Sequence, residues 1–227
     1  MKKAGRIIAL VLVVGLFLGL IIFNVYNQPP VSTQAWDLAY TIGDPNTATR
    51  HYIQYSDFAC PYCDIFSRAI IENEEEFNQY LSDHKILYEI RLTEIIHDSV
   101  GSEMSRNSAV AAYCAKRDGK FIDYYHAGVM ALYRDYHSKG IGDSKTAPQI
   151  TGMADDYWLK VGHDIGLGED FDSCVKNQDT LGEVIENTAK ANVGGLPYFQ
   201  FGKQSFSGLS YPVWNWEHTK EYLDAGL

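Results

Sequence analysis

His51-Tyr52-Ile53-Gln54-Tyr55-Ser56-Asp57-Phe58-Ala59-Cys60-Pro61-Tyr62-Cys63 is the stretch on which the reading of this chain turns. An apolar run from His51 to Phe58 gives way to a helical pattern, so two thiols lie two residues apart where a strand becomes a helix. The first turn of a helix carries unpaired N–H groups and partial positive charge, and a sulfur held there is favoured as the thiolate. Cys60 is therefore the candidate nucleophile and Cys63, one turn on, the resolving thiol. Pro61 suits the first helical position, since its fixed φ fits and its missing N–H costs nothing there. Taken alone, a CxxC is also compatible with half a zinc site or a structural disulfide.

Outward from this stretch, a strand is expected at His51 to Tyr55 and a helix from Pro61 to about Leu81. Ile65, Phe66, Ala69, Ile70, Phe77 and Tyr80 recur at helical spacing, with Glu72 to Glu76 as the wet face. Ile86 to Leu92 alternates as a second strand. Beyond His97 the segments Glu103 to Lys116, Phe121 to Tyr136 and Asp155 to Gly162 read as helices, followed by a long helix at about Val175 to Ala191. Two short strands, Tyr198 to Gly202 and Ser205 to Ser207, and a helix at Trp216 to Ala225 close the chain. The order predicts an α/β sheet domain over 40–227 with an all-helical insertion at about 98–174.

Before the domain, Met1, Lys2, Lys3 and Arg6 form a basic start at 1–6, and Ile7 to Phe23 is apolar apart from Gly15 and Gly19. This reads as a transmembrane anchor over 7–26, with a secreted form after signal cleavage as the alternative, the best cleavage candidate ending at Ala35. A tether follows at 27–39. The basic residues are expected to stay cytoplasmic, which sends the domain to the outer, oxidising side. The formal net charge of −10 gives a nucleic-acid role no electrostatic support.

Cys114 and Cys174 complete a set of four cysteines, which allow three pairings if all are bonded. A Cys114–Cys174 structural disulfide is expected, tying together the two ends of the helical block; a second redox relay and buried free thiols are the alternatives. The enclosed loop of about 60 residues corresponds to roughly 4 kcal/mol in the chain-entropy estimate. The seven histidines show no HxH or HExxH spacing, and no metal role is assigned. Tyr124 and Tyr125 lie at core spacing, and Trp214 and Trp216 are placed to cap the sheet.

With the CxxC, the helical insertion and Gly194-Gly195-Leu196-Pro197-Tyr198-Phe199, the chain resembles the DsbA-like branch of the thioredoxin superfamily from about Tyr40 to Leu227. Looser matches are Gly43-Asp44-Pro45-Asn46, Ser56-Asp57-Phe58, and Ala111-Ala112-Tyr113-Cys114-Ala115 followed by Gly119-Lys120-Phe121. These resemble the membrane-anchored and Gram-positive-type members. The resemblance implies a thioredoxin-like fold and a cis bond before Pro197. That bond would leave the backbone of Leu196 free to pair with an extended substrate beside the active sulfur. Many relatives carry a buried Glu six residues before the first cysteine, thought to ferry protons; here the position is Gln54. The residue before the proline is commonly Val or Thr, and here is Leu196.

The resemblance implies an extracytoplasmic thiol-disulfide oxidoreductase, foremost a dithiol oxidase that passes the Cys60–Cys63 disulfide to reduced or unfolded exported proteins. Pro61 and Tyr62 would be its active-site dipeptide, and Leu196 and Pro197 its substrate loop. No cofactor is implied beyond that redox-active disulfide. Reoxidation would fall to a DsbB-like or VKOR-like quinone-linked membrane oxidase. Pro-Tyr also occurs between the cysteines of glutaredoxins and some isomerases, so a reductase or isomerase of the same fold is the alternative. A non-catalytic binding or assembly protein of the cell envelope is the alternative of another class.

Overall fold

Strand β2 (Arg50–Ser56) and strand β3 (Ile86–Leu92) pair in parallel at the middle of a five-stranded sheet, joined by two helices that cross between them. The computed structural model describes residues 40–141, 152–191, 193–201, 204–208 and 214–227. The expected anchor at 7–26 and tether at 27–39 lie outside the described residues. Strand β1 (Tyr40–Ile42) runs antiparallel along the outer edge of β3, and β4 (Tyr198–Phe201) antiparallel along β2. Strand β5 (Gln204–Ser207) completes the order β1-β3-β2-β4-β5.

The expected helix from Pro61 to about Leu81 is two helices, α1 (Pro61–Ile71) and α2 (Glu74–Asp83). Asn73 makes the break: its side-chain amide donates to the Ala69 carbonyl at 2.9 Å, closing α1. Its backbone at φ −129° and ψ 42° then restarts the chain as the N-cap of α2, whose first turn holds Glu74, Glu75 and Glu76 against the positive helix end. Both helices cover one face of the sheet with aromatic rings. Phe66 of α1 packs on Phe199 at 4.5 Å between ring centres, and Phe77 of α2 meets Tyr88 edge-on at 5.1 Å. On the opposite face Ile53 and Tyr55 form a smaller cluster with Ala191, Val193, Leu196 and Tyr198. Beside it Arg91 is buried between Glu89 (Nε–Oε1 2.6 Å) and the Tyr55 hydroxyl (3.1 Å).

After β3 the chain enters the insertion through α3 (Ile95–Val100), a short helix not expected from the sequence. Helix α4 (Glu103–Arg117) is the insertion's axis, and α5 (Phe121–Asp135), α6 (Asp155–Asp164) and α7 (Glu169–Asn177) pack around it. Its small residues Ser105, Ser108, Ala109, Ala111, Ala112 and Ala115 are all buried, which permits close approach on several sides. The long helix expected at Val175 to Ala191 is likewise two, α7 and α8 (Leu181–Ala191), because Gln178 ends α7 in the left-handed region at φ 53°. Thr180, fully buried in the break, donates to the Val110 carbonyl at 3.1 Å. Helix α9 (Trp216–Asp224) closes the domain. Trp216 meets Phe77 and Tyr80 of α2 edge-on, and Trp214 meets Phe66 of α1, so both indoles pack on helices that cover the sheet.

The Cys114–Cys174 disulfide expected from the sequence is present. It joins α4 to α7 with a Cα–Cα distance of 5.8 Å. The insertion is also fixed to the sheet, since the buried Tyr113 hydroxyl donates to the Leu92 carbonyl at 2.7 Å.

Candidate active site

Strand β2 delivers the chain to Ser56, and a tight turn follows. Asp57 Oδ1 accepts from the Ala59 N–H at 2.8 Å, and the Asp57 carbonyl accepts from the Cys60 N–H at 3.0 Å. Cys60 thus enters α1 as its N-cap, with extended backbone (φ −92°, ψ 110°) and Pro61 behind it in the first turn. The cap acceptor is the sulfur itself: the Cys63 N–H donates to Cys60 Sγ at 3.4 Å. The strand-to-helix placement of the cysteines is therefore as the sequence implied, and both thiols are free and buried. Tyr62 between them in sequence is 46% exposed, so an aromatic ring stands in solvent next to a buried pair of thiols in the chain.

Cys63 lies deeper than its partner. Burial pushes its thiol well up, and hydrogen bonding to the Cys60 sulfur together with the charge there pushes it further. The Cys63 thiol therefore holds its proton while Cys60 serves as acceptor. Asp57 is completely buried beside them. Burial pushes its carboxyl up to about 6, against hydrogen bonds from Ser105, Ala59 and Ile96 that pull it down. The Ser105 hydroxyl donates to Oδ2 at 2.6 Å and the Ile96 N–H to the same oxygen at 3.1 Å.

One residue after Cys63, Asp64 is also buried. Its Oδ2 lies 3.1 Å from Arg68 Nε and 2.9 Å from His137 Nδ1. The Arg68 guanidinium stacks 3.9 Å over the Tyr133 ring. Gln54, at the position discussed above, is buried in a chain of neutral hydrogen bonds. Its oxygen accepts from the Tyr88 hydroxyl at 2.8 Å and its amide donates to Ser67 Oγ at 3.3 Å. Ser67 in turn lies 2.5 Å from the Tyr125 hydroxyl. Neither Asp57 nor Asp64 was singled out from the sequence as a site residue. The signal at Asp57 was an acid inside an apolar run; at Asp64 none was visible, because its partner His137 is distant in sequence.

The peptide bond between Leu196 and Pro197 is cis. Tyr198, the next residue, pairs with Tyr55 at the end of β2, so the proline stands at the end of the strands from which the chain runs to Cys60. Pro197 is buried, Leu196 is half-buried, and the Pro197 carbonyl accepts from the Gly208 N–H at 2.8 Å. His97, after β3, has its Nδ1 3.1 Å from the Ser102 carbonyl.

A family model described as thioredoxin matches residues 38–214. No curated protein matches the sequence. Among solved structures, the thiol-disulfide exchange protein alpha-DsbA2 from Wolbachia pipientis is similar at 19% identity and a TM-score of 0.55, covering 92% of each chain. A protein-disulfide isomerase from Novosphingobium aromaticivorans is similar at 16% identity and a TM-score of 0.56, over 83% of this chain and 96% of that one. Oxidised DsbA from Mycobacterium tuberculosis follows at 16% identity and a TM-score of 0.53, over 76% and 85%. With a parallel β-α-β unit, a helical insertion, a CxxC at the head of the first helix and a family match over most of its length, the chain belongs to the thioredoxin family.

Proposed function

We propose that this protein is an extracytoplasmic thiol-disulfide oxidoreductase that donates the Cys60–Cys63 disulfide to reduced exported proteins. The observation that carries the reading is the capping geometry: Cys60 Sγ is the acceptor at the head of α1, 3.4 Å from the Cys63 N–H. A negative sulfur gains from that N–H and from the helix end. A substrate thiolate attacks Cys60 Sγ, the Cys60–Cys63 bond breaks, and its electron pair passes to Cys63. A second substrate thiolate then attacks the substrate sulfur of the mixed disulfide and leaves Cys60 reduced. Leu196, ahead of the cis bond, presents its backbone to the substrate peptide. Reoxidation by a DsbB-like or VKOR-like quinone-linked membrane enzyme, and tethering through 7–26, complete the proposal.

The test is oxidation of a reduced, unfolded protein by the oxidised chain. A stoichiometric burst is expected, absent in Cys60→Ser, while Cys63→Ala, its Cys60 first converted to the mixed disulfide with glutathione, releases glutathione to the attacking substrate thiolate and carries the substrate as a mixed disulfide on Cys60. Equal oxidation by wild type and Cys60→Ser would rule the assignment out. Similarity to the Novosphingobium isomerase supports a second reading, with electrons flowing the other way. The two separate by reduction potential, which spans about −270 to −120 mV across such proteins, the oxidising end belonging to oxidases.

A further inference from the structure

The reacting pair leaves a proton to be accounted for. Whenever Cys63 attacks or departs, its sulfur must shed or gain a proton, and at 1% exposure it has no bulk water to exchange with. The groups around it are few. A cavity of about 10 Å³, the space of a single water, is lined by Ser56, Asp57, Cys63, Asp64, Ser67 and Tyr125 among others.

We propose that Asp57 is the group that exchanges the proton of Cys63. It shares this cavity with the thiol, is fully buried, and among the described residues the donors on its carboxylate are neutral, namely the Ala59 and Ile96 N–H groups and the Ser105 hydroxyl. The other lining groups are less suited. Asp64 has the Arg68 guanidinium and His137 on its Oδ2, and the Ser56 and Ser67 hydroxyls do not titrate in this range. Burial holds the Tyr125 hydroxyl up at about 12, so it keeps its own proton. The groups facing Asp57 are Cys63 and Asp64 from α1, Tyr125 from α5, Ser105 from α4, and Glu94 ahead of α3, itself bound by Arg106 at 2.6 Å.

In the resolving step Cys63 Sγ bonds to Cys60 Sγ and the bond from Cys60 to the substrate sulfur breaks. The electron pair leaves on that sulfur, and the Cys63 proton passes to the Asp57 carboxylate. In the opposite direction protonated Asp57 returns it to the departing Cys63. Burial places the carboxyl at about 6, which lets it act in both senses near neutral pH.

This inference rests on Cys60 and Cys63 being the reacting pair. The experiment mixes the reduced full chain with oxidised glutathione and follows acid-quenched species by mass from pH 4.5 to 8. Formation of the Cys60–glutathione adduct is one phase and its resolution by Cys63 the next. Absence of any adduct in wild type would defeat the pair itself, not the role of Asp57. In wild type the resolving phase should rise with an inflection near pH 6. Asp57→Asn should lose the inflection and slow resolution at least tenfold relative to adduct formation, with Asp57→Glu restoring a titrating phase. Ser105→Ala, which removes one donor from the carboxylate without touching the cysteines, should move the inflection up by about one pH unit. An inflection that survives Asp57→Asn, that vanishes instead in Asp64→Asn, or that stays fixed in Ser105→Ala would overturn the proposal.

Discussion

Asp57 also makes folding depend on pH in the direction opposite to that of a salt-bridged acid. Its carboxyl stands at about 6 in the folded protein against 3.8 when free, so the native state binds this proton the more tightly. That contribution is complete below about pH 4 and is lost as pH rises through 6. Moving a carboxyl from 3.8 to about 6 is worth about 3 kcal/mol. Urea unfolding of wild type and Asp57→Asn at pH 4 and pH 8 should therefore show wild type losing about 3 kcal/mol relative to the variant between the two. Equal differences at both pH values would mean that burial does not perturb this acid. From the sequence the two cysteines were legible because one motif encodes both partners and their setting. The burial of Asp57 was not, because its donors Ile96 and Ser105 arrive from a different helix each.

Among the elements, the strands β2 and β3 and the three helices α4, α5 and α6 were legible from periodicity. The breaks at Asn73 and Gln178 were not. Each depends on a single residue leaving helical backbone, and the apolar period runs on undisturbed across both. Strand β1 escaped notice because three residues carry no period of their own; β3 recruits it at the edge. The join between α4 and α7 yields a prediction. Replacing Cys114 and Cys174 by Ala together should cost about 2 to 4 kcal/mol, measured by urea unfolding under oxidising conditions. No loss would mean that packing alone holds the insertion shut. Where α6 meets α7, Gly162 leaves no room for a Cβ, which would run into the Phe171 ring. Gly162→Ala should lower stability by about 1 to 3 kcal/mol through overpacking; an unchanged urea midpoint would show that the ring can move aside.

For the whole domain, one apolar cluster runs without interruption from Phe66, Tyr88 and Phe199 at the sheet to Tyr113, Trp158 and Phe171 in the insertion. Sheet and insertion are therefore expected to unfold as one unit, with coincident urea midpoints by far-ultraviolet circular dichroism and tryptophan fluorescence. Two separated transitions would show that the insertion is an independent domain. The joint is Phe58, two residues before Cys60. Its ring lies 5.2 Å from that of Trp158 and 5.5 Å from that of Tyr125, and against Gly128, where a Cβ would clash. Phe58→Ala should cost about 3 to 5 kcal/mol by the same urea assay.

Because the sulfur of Cys60 closes the first turn of its own helix, two properties reside in one atom and cannot be deleted separately by removing it. An alanine there would fray the helix by about 1 kcal/mol as well as silence the chemistry, whereas a serine oxygen is a good cap and leaves the helix start closed. Serine is thus the faithful inert replacement. The loss of stability from wild type to the alanine variant gauges how firmly the thiol anchors the architecture it serves, with the serine variant as the capped reference.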